Sequence, residues 1–278
     1  MNKVTLNIKM HYNEMGKAEK RIADCIFQNP EKVISLSIVE LAEECGCSEA
    51  TIVRFSKRIG VSGYQELKLK LASEEKNLPI NSSIKADDTA FEIYEKLCND
   101  IYLSFEKTKK ILAPDKLDEA CKEIINAGKI VIFGLGNSSS VAIDAAHKFL
   151  RAGLNAISYN DNHMQVIAAS HLSEKDVVIG ISHSGASKDI IDALKIAKQK
   201  KVTTIAITSS KKSALLKYTD IPLFTAADET EYSILALNSR LVQLGIIDVI
   251  YHYILLNKSE KAMESIKETE TALLSKKI

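Results

Sequence analysis

The stretch that most constrains the fold of this chain runs from Val177 to Ser187 and reads Val-Val-Ile-Gly-Ile-Ser-His-Ser-Gly-Ala-Ser. Its first five residues are apolar or glycine, which favours a β-strand that is buried on both faces. Ser187 can then serve as the N-cap of a helix, because Ile190 and Leu194 recur at helical spacing. Hydroxyl groups and backbone amides meet at that helix start, which suits a phosphate. A serine-rich turn with a good cap is the alternative interpretation.

A second stretch of the same kind begins at Lys129. Residues 129–133 predict another buried strand, residues 134–140 read Gly-Leu-Gly-Asn-Ser-Ser-Ser, and a helix is expected from Val141. In a doubly wound sheet of strand order 2-1-3-4-5, the first and third strands are neighbours, and ligands bind outside their carboxyl ends. If the strands at Lys129 and Val177 are the first and third, both polar loops face one pocket.

Strands and helices alternate through the whole region from Lys129 to Leu255. The alternation predicts an α/β domain with a doubly wound, parallel, five-stranded sheet in the flavodoxin-like order, joined by right-handed crossovers. The predicted strands are Lys129–Phe133, Ala156–Tyr159, Val177–Ile181, Thr203–Ile207 and Ile221–Phe224. The predicted helices are Val141–Arg151, Met164–His171, Asp189–Gln199, Ser213–Tyr218 and Leu235–Leu255.

The first part of the chain has a different pattern, that of helices alone. An amphipathic helix is predicted over Lys17–Phe27, and residues 37–55 combine a short helix, a turn at Gly46 and a second helix capped by Ser48. This is the helix-turn-helix pattern, whose second helix can enter a DNA major groove. The sequence therefore predicts an all-α domain that binds double-stranded DNA, with a helical packing module as the alternative. The predicted DNA contacts are Ser48, Ala50, Thr51, Arg54 and Lys57.

Charge supports the DNA interpretation only locally, because the formal net charge of the 278-residue chain is +1. Between Ala50 and Leu71 the basic residues outnumber the single acid, Glu66. The basic residues are Arg54, Lys57, Arg58, Lys68 and Lys70. Salt-bridged surface helices often show such an imbalance, so the charge adds weight only because it coincides with the helix pattern.

Length and composition predict two domains. We place a helix-turn-helix domain at 1–76, a linker at 77–88, the α/β domain at 89–256 and a charged tail, to which we assign no function, at 257–278. The long helix predicted over Thr89–Leu112 has one apolar stripe, which suits packing on the second domain or on a dimer partner.

Five cysteines without a C-x-x-C pair, no secretory signal and no apolar run of about 18 residues favour a cytoplasmic protein that does not contact membranes. Cys45 and Cys47 are expected to fill core positions of the helix-turn-helix. No group of His, Cys or carboxylate residues has metal-ligand spacing, so we expect neither a metal nor another cofactor.

Two motifs together resemble a known family. The pattern E-L-A-x-x-x-x-x-S-x-A-T-I-V-R-F-x-K-x-x-G spans Glu40 to Gly60, and I-S-H-S-G spans Ile181 to Gly185. In this order they resemble the RpiR-type bacterial regulators of sugar metabolism, whose C-terminal part is a sugar isomerase (SIS) domain. The resemblance implies a homodimer or larger assembly whose operator binding responds to a phosphosugar. The phosphosugar contacts expected from it are Gly136, Asn137, Ser138, Ser182, His183, Ser184, Ser187 and Glu231.

An enzyme is the alternative function, because SIS domains also occur in phosphosugar isomerases and lyases. An isomerase needs a base, for which Glu229 and Glu231 are candidates. The favoured interpretation of these two residues is that they are solvated acids in a loop. Residues 37–71 favour the regulator, because an enzyme has no need of a groove-binding helix. A dinucleotide-dependent oxidoreductase is disfavoured, because Ser139 stands where the third glycine of its phosphate loop belongs. The sequence therefore predicts a non-catalytic sensor joined to a DNA-binding domain.

Overall fold

The computed structural model describes residues 4–74, 84–85, 87–227, 237–274 and 276. The chain divides into two compact units, and the division falls between Asn99 and Asp100. Most of the predicted linker at 77–88 lies outside the described residues. The domain limits at residues 76, 88 and 256 therefore stay predictions.

The first unit contains short helices whose apolar faces share one core. Ile8, Ile22, Leu41, Ile52 and Phe55 are fully buried in it. The helix before Lys17 was not predicted, because eight residues with few buried apolar positions give little periodic signal. The helices are α1 (Val4–His11), α2 (Lys17–Gln28), α3 (Pro30–Ser35), α4 (Ile38–Glu44), α5 (Glu49–Arg58) and α6 (Tyr64–Glu74).

Two further helices precede the sheet. Helix α7 (Ala90–Ile111) has 22 residues, and α8 (Pro114–Asn126) begins at a proline, whose fixed φ and missing N–H suit the first helical position. Ala120 and Ile124 of α8 are buried against the sheet.

The second unit contains a parallel sheet of five strands in the order β2-β1-β3-β4-β5, which confirms the predicted fold class and strand order. Side chains of the first strand alternate between the apolar clusters on the two faces of the sheet. Ile130 and Ile132 pack in one cluster, and Val131 and Phe133 pack in the other. The strands are β1 (Ile130–Gly134), β2 (Ala156–Tyr159), β3 (Val177–Ile181), β4 (Thr203–Thr208) and β5 (Ile221–Phe224). The helices are α9 (Asn137–Arg151), α10 (Asn162–Ser170), α11 (Lys188–Gln199), α12 (Leu237–Asn257) and α13 (Ser259–Leu274), and a short 3-10 helix covers Ala214–Tyr218.

Helix α9 begins at Asn137, four residues before the predicted start at Val141. A side chain on Gly134 would place its Cβ 2.5 Å from the carbonyl oxygen of Ser138. Because Gly134 has no side chain, the helix can begin directly against the end of β1. The three serines at 138–140 therefore form the first turn of the helix and are not loop residues.

The segment at 257–278, which was predicted as a tail, contains helix α13. Ala262 is fully buried, Ser265 lies against Gly153, and Arg151 on α9 donates a 2.5 Å hydrogen bond to Glu270. Contrary to the expectation that no apolar run of about 18 residues is present, the preceding stretch, Asn238–Asn257, is apolar and long enough to span a membrane by length and composition, with a mean hydropathy of 1.3 over 18 residues. Several of its apolar residues are buried in the core of the sheet unit, as in a core helix. They are Val242, Ile246, Ile247, Ile250 and Ile254.

Candidate functional site

The two predicted polar loops leave the sheet at the same edge. Gly134 at the end of β1 pairs in register with Ile181 at the end of β3, so both loops continue from adjacent positions. Winding reverses between these two strands, which is the position where doubly wound sheets bind ligands.

The loop after β1 is short and leads straight into a helix. Gly136 occupies the N-cap position of α9 with φ +56°, a left-handed conformation that favours glycine. Gly136 and Asn137 are exposed, and Ser138 is half-buried. The hydroxyl groups of Ser139 and Ser140 donate to the carbonyls of Gly136 and Asn137 at 2.6 and 2.7 Å. The predicted residues Gly136, Asn137 and Ser138 thus form the start of α9.

The loop after β3 brings three predicted serines close together. Ser182 is buried, and its Oγ lies 3.2 Å from Oγ of Ser187. Ser184 Oγ accepts a hydrogen bond of 3.3 Å from the Ala186 amide, which leaves the O–H of this half-buried serine to donate. Ser187 stands at the predicted N-cap position of α11 but forms no side-chain cap within the described residues, because its hydroxyl is turned towards Ser182.

A third loop, after β4, holds the second one in place, and the sequence analysis missed it. Thr208 Oγ1 donates to the carbonyl oxygen of His183 at 3.0 Å, and the amide of Ser209 donates to the same oxygen at 2.9 Å. Ser209 Oγ also lies 3.4 Å from Nε2 of His183. The signal was present: Thr208, Ser209 and Ser210 end a buried strand in hydroxyl residues, as Ser182 and Ser184 do.

Gly185 fixes the shape of the loop after β3. Its φ is +61°, and a Cβ at this position would lie 2.3 Å from Oγ of Ser213 and 3.1 Å from Oγ1 of Thr208. Ser213 and Thr208 are buried. The backbone of the loop is therefore packed directly on the wall formed after β4, which only a glycine permits.

The three helices that start at this edge of the sheet differ in whether a side chain caps their N-terminus. Asp161 caps α10 by accepting a hydrogen bond of 2.9 Å from the Met164 amide, whereas α9 and α11 have no side-chain cap among the described residues. Glu231, the last predicted ligand contact, and Glu229 lie outside the described residues, and their roles stay predictions.

The predicted helix-turn-helix is formed by α4 and α5. Ser37 and Glu40 cap α4 reciprocally, at 3.2 Å for the Glu40 amide and 2.8 Å for the Ser37 amide. Gly46 makes the turn with φ +56°, and Arg21 donates to its carbonyl at 2.7 Å. Burial raises the pKa of the Cys45 thiol to about 12, so this thiol is a neutral core group.

The outer face of α5 carries the predicted DNA contacts. Ser48, Ala50, Arg54 and Lys57 are exposed, and Thr51 is half-buried. Ser48 caps the helix through a 3.3 Å bond from the Thr51 amide. Thr51 Oγ1 also accepts a 3.3 Å hydrogen bond from Arg54 and lies 2.9 Å from Ser48 Oγ. The guanidinium is thus partly ordered before any contact with DNA.

Three of the five basic residues counted between Ala50 and Leu71 have partners within the first unit, so fewer positive charges are available to DNA than the sequence count suggests. Arg58 donates to Glu19 at 2.8 Å and to the Glu14 carbonyl at 3.1 Å. Lys70 pairs with Glu66 at 2.8 Å, and Lys68 donates to the Leu36 carbonyl at 3.0 Å. Because Arg58 is paired with Glu19, Arg54 and Lys57 carry most of the positive charge that α5 presents outwards.

Comparisons with known proteins match this arrangement over the whole chain. The helix-turn-helix domain of the rpiR family matches residues 2–77, and the SIS domain matches residues 123–253. An HTH-type transcriptional regulator of Caldanaerobacter subterraneus subsp. tengcongensis is 34% identical over 280 residues, covering 100% of this chain and 99% of that protein. The HTH-type transcriptional regulator HexR of Pseudomonas aeruginosa is 32% identical over 252 residues, covering 90% and 88%.

Among solved structures, the Vibrio vulnificus NanR protein complexed with ManNAc-6P has the same fold. The TM-score is 0.79 at 24% identity, covering 99% of this chain and 100% of that one. Fold and comparisons define the class, a helix-turn-helix transcription regulator with a C-terminal SIS domain. The chain belongs to the RpiR family of these regulators.

Proposed function

We propose that this regulator binds operator DNA of sugar-metabolism genes and that a phosphosugar in the SIS domain controls this binding. One observation carries the proposal: α9 and α11 start at the same edge of the sheet without side-chain caps among the described residues, whereas α10 is capped. A helix start without a capping side chain leaves the positive end of the helix dipole accessible to an anion. NanR, which shares the fold, is complexed with a sugar phosphate.

In this proposal the phosphate lies between the starts of α9 and α11. Ser182, Ser184 and Ser187 donate hydroxyl hydrogen bonds to it, and His183 binds a phosphate or sugar oxygen. Glu231 binds hydroxyl groups of the sugar. The loop at the start of α9 supplies the remaining contacts, which are Gly136, Asn137 and Ser138.

The same proposal covers the DNA contacts, the cellular compartment and the oligomeric state. Arg54 reads a base edge, Lys57 contacts a phosphate, and the other contacts on α5 are Ser48, Ala50 and Thr51. The protein acts in the cytoplasm as a homodimer, with residues 1–76 on DNA and residues 89–256 on the ligand. It needs no metal or other cofactor.

Replacing Ser184 by alanine is expected to lower the affinity for the phosphosugar about ten- to a hundredfold. The change removes a donor to a charged acceptor, which is worth roughly 1.5–3 kcal/mol, and 1.4 kcal/mol is a factor of ten. The measurement is a thermal-shift titration of the full chain across a series of sugar phosphates, because ligand binding raises the melting temperature.

The matched control is Ser170→Ala. Its hydroxyl donates only to the Ile167 carbonyl, near the end of α10. Ser170→Ala should titrate like the parent. Equal ligand affinity in Ser184→Ala and the parent would show that the phosphate is bound elsewhere.

We also expect no turnover of the bound phosphosugar. A sensor needs different ligand affinities in two conformations, whereas an isomerase needs a base placed for the transition state. The assay follows aldose-to-ketose conversion by purified protein. Conversion that disappears in Glu229→Gln or Glu231→Gln would establish an enzyme instead.

A further inference from the structure

Helix α7 carries an exposed aromatic stripe that the functions above do not use. Phe91, Tyr94 and Tyr102 are 67%, 62% and 62% exposed, Phe105 is 41% exposed, and Cys98 is exposed as well. At 3.6 residues per turn, these five side chains span an arc of about 80°. They therefore form one face of the helix, which we call the α7 stripe. Such a row of large apolar side chains on a surface marks an interaction site.

The α7 stripe is symmetric in sequence. Starting from Phe91, its residues follow at steps of three, four, four and three, and they read Phe, Tyr, Cys, Tyr, Phe. The centre of this symmetry is Cys98. Asp87, before the helix, and Lys109, near its end, are equally far from Cys98 and have opposite charge.

This symmetry fits a second copy of the same chain. When two α7 helices cross antiparallel about a two-fold axis at Cys98, Phe91 of one copy faces Phe105 of the other, and Tyr94 faces Tyr102. The same arrangement brings the segment before one α7, which carries Asp87, towards the end of the other α7, which carries Lys109. A two-fold interface requires this self-complementarity. A parallel pair would instead bring Lys109 next to its own copy.

Another part of α7 is engaged within its own chain. Thr108 is buried and exchanges hydrogen bonds with Ala226, donating to its carbonyl at 3.2 Å and accepting from its amide at 3.0 Å. Ser104 is also buried, and one edge of Phe105 lies against Gly245. These contacts hold the C-terminal part of α7, from Ser104 onwards, on the sheet unit, and the α7 stripe is largely exposed.

We infer that α7 pairs antiparallel with α7 of a second copy through the α7 stripe, centred on Cys98. The inference rests on the homodimer of the proposed function and names its surface. The exposed parts of the four aromatic side chains amount to on the order of 450 Å² per copy, against about 800 Å² per partner in a stable interface. The α7 stripe therefore forms the centre of the dimer contact.

Cross-linking of the full chain in solution tests this arrangement. A short bismaleimide should join the two chains through Cys98, giving a covalent dimer on a denaturing gel. Cys98→Ser should lose this product. Because the other four cysteines are unchanged in this variant, the loss would assign the cross-link to Cys98. Moving the thiol to the exposed neighbour, in Cys98→Ser with Asn99→Cys, should give much less product.

The direction of pairing is tested with two differently tagged variants in the Cys98→Ser background. Under oxidation, Tyr94→Cys and Tyr102→Cys should form a disulfide with each other when the two variants are mixed and their subunits exchange, and neither variant alone should do so. In the antiparallel pair, residue 94 and the same residue of the second copy are about 12 Å apart along the helices, at 1.5 Å rise per residue, which is too far for a disulfide. All the substituted side chains are exposed, so folding should persist.

Each outcome decides a different claim. Cross-linking of Tyr94→Cys to itself would overturn the antiparallel pairing. A dimer in sedimentation that gives neither the Cys98 product nor the mixed product would overturn this surface and leave the homodimer intact. A monomer in sedimentation would overturn the homodimer of the proposed function as well.

Discussion

Gly185→Ala is expected to lower the affinity for the phosphosugar by about a hundredfold or more. The backbone at Gly185 has φ +61°, where an L-residue costs roughly 1–2 kcal/mol, and the new Cβ would lie 2.3 Å from Oγ of Ser213. Ser213 is buried, so it has little room to withdraw. The loop must therefore shift and carry Ser182 and Ser184 with it, and each lost bond to a charged acceptor costs about 1.5–3 kcal/mol.

Two other glycines of the sheet unit separate the causes of this loss. Gly136→Ala meets no atom within 4 Å, but its φ of +56° is unfavourable, so a smaller loss of affinity is expected. Gly128→Ala has no positive φ, and its Cβ would make an ordinary contact of 3.4 Å, so binding should persist. Calorimetric titration of the phosphosugar measures all three. Parent-like affinity in Gly185→Ala would contradict the position of the site.

Arg54→Ala is expected to reduce the preference for operator over random duplex DNA by up to about a hundredfold. A side chain that contacts a base edge contributes about 1–3 kcal/mol of discrimination, and the exposed guanidinium is already oriented by Thr51. Arg54→Lys is the matched control, because it keeps the charge and loses the planar fork that pairs with guanine. It should bind random DNA like the parent and still lose most of the preference.

Lys57→Ala should behave differently on the same helix. A phosphate contact carries no sequence information, so its loss should weaken all duplex DNA evenly and reduce the salt dependence by about one ion. The measurement is a fluorescence anisotropy titration of operator and random duplexes at several salt concentrations. Unchanged operator preference in both Arg54 variants, together with unchanged affinity for both duplexes in Lys57→Ala, would remove α5 from the DNA interface.

The sequence was sufficient for the fold of the sheet unit because its signals are local. Residues 130–133 and 177–181 are continuous runs of apolar residues and glycine that are followed by glycine or small polar residues, and such runs are typical of buried parallel strands. With β1 and β3 taken as the first and third strands, the flavodoxin-like order predicted the arrangement of the sheet, and the structure confirms it. The serines of the loop after β3 lie in one such signal, so their convergence was predictable.

The remaining features depend on contacts that the pattern of residues along the chain does not show. The Arg58 pair with Glu19 joins positions 39 residues apart, so a charge count along the chain overstated the basic face. The start of α9 depends on the close approach of Ser138 to Gly134, and the order of α13 depends on packing against α9. The hydrogen bond from Thr208 to the His183 carbonyl depends on the position of β4 beside β3.

The central claim is that a phosphosugar bound in the SIS domain changes operator binding by the helix-turn-helix domain. Operator affinity of the full chain, titrated across a series of sugar phosphates, tests it directly. We expect one sugar phosphate to change the operator affinity at least fivefold, which is a coupling free energy of about 1 kcal/mol or more. Ser184→Ala should bind the operator normally without ligand and need about ten- to a hundredfold more ligand for the same change. Operator affinity that responds to no sugar phosphate, or that responds at the same concentration in Ser184→Ala and the parent, would contradict the account.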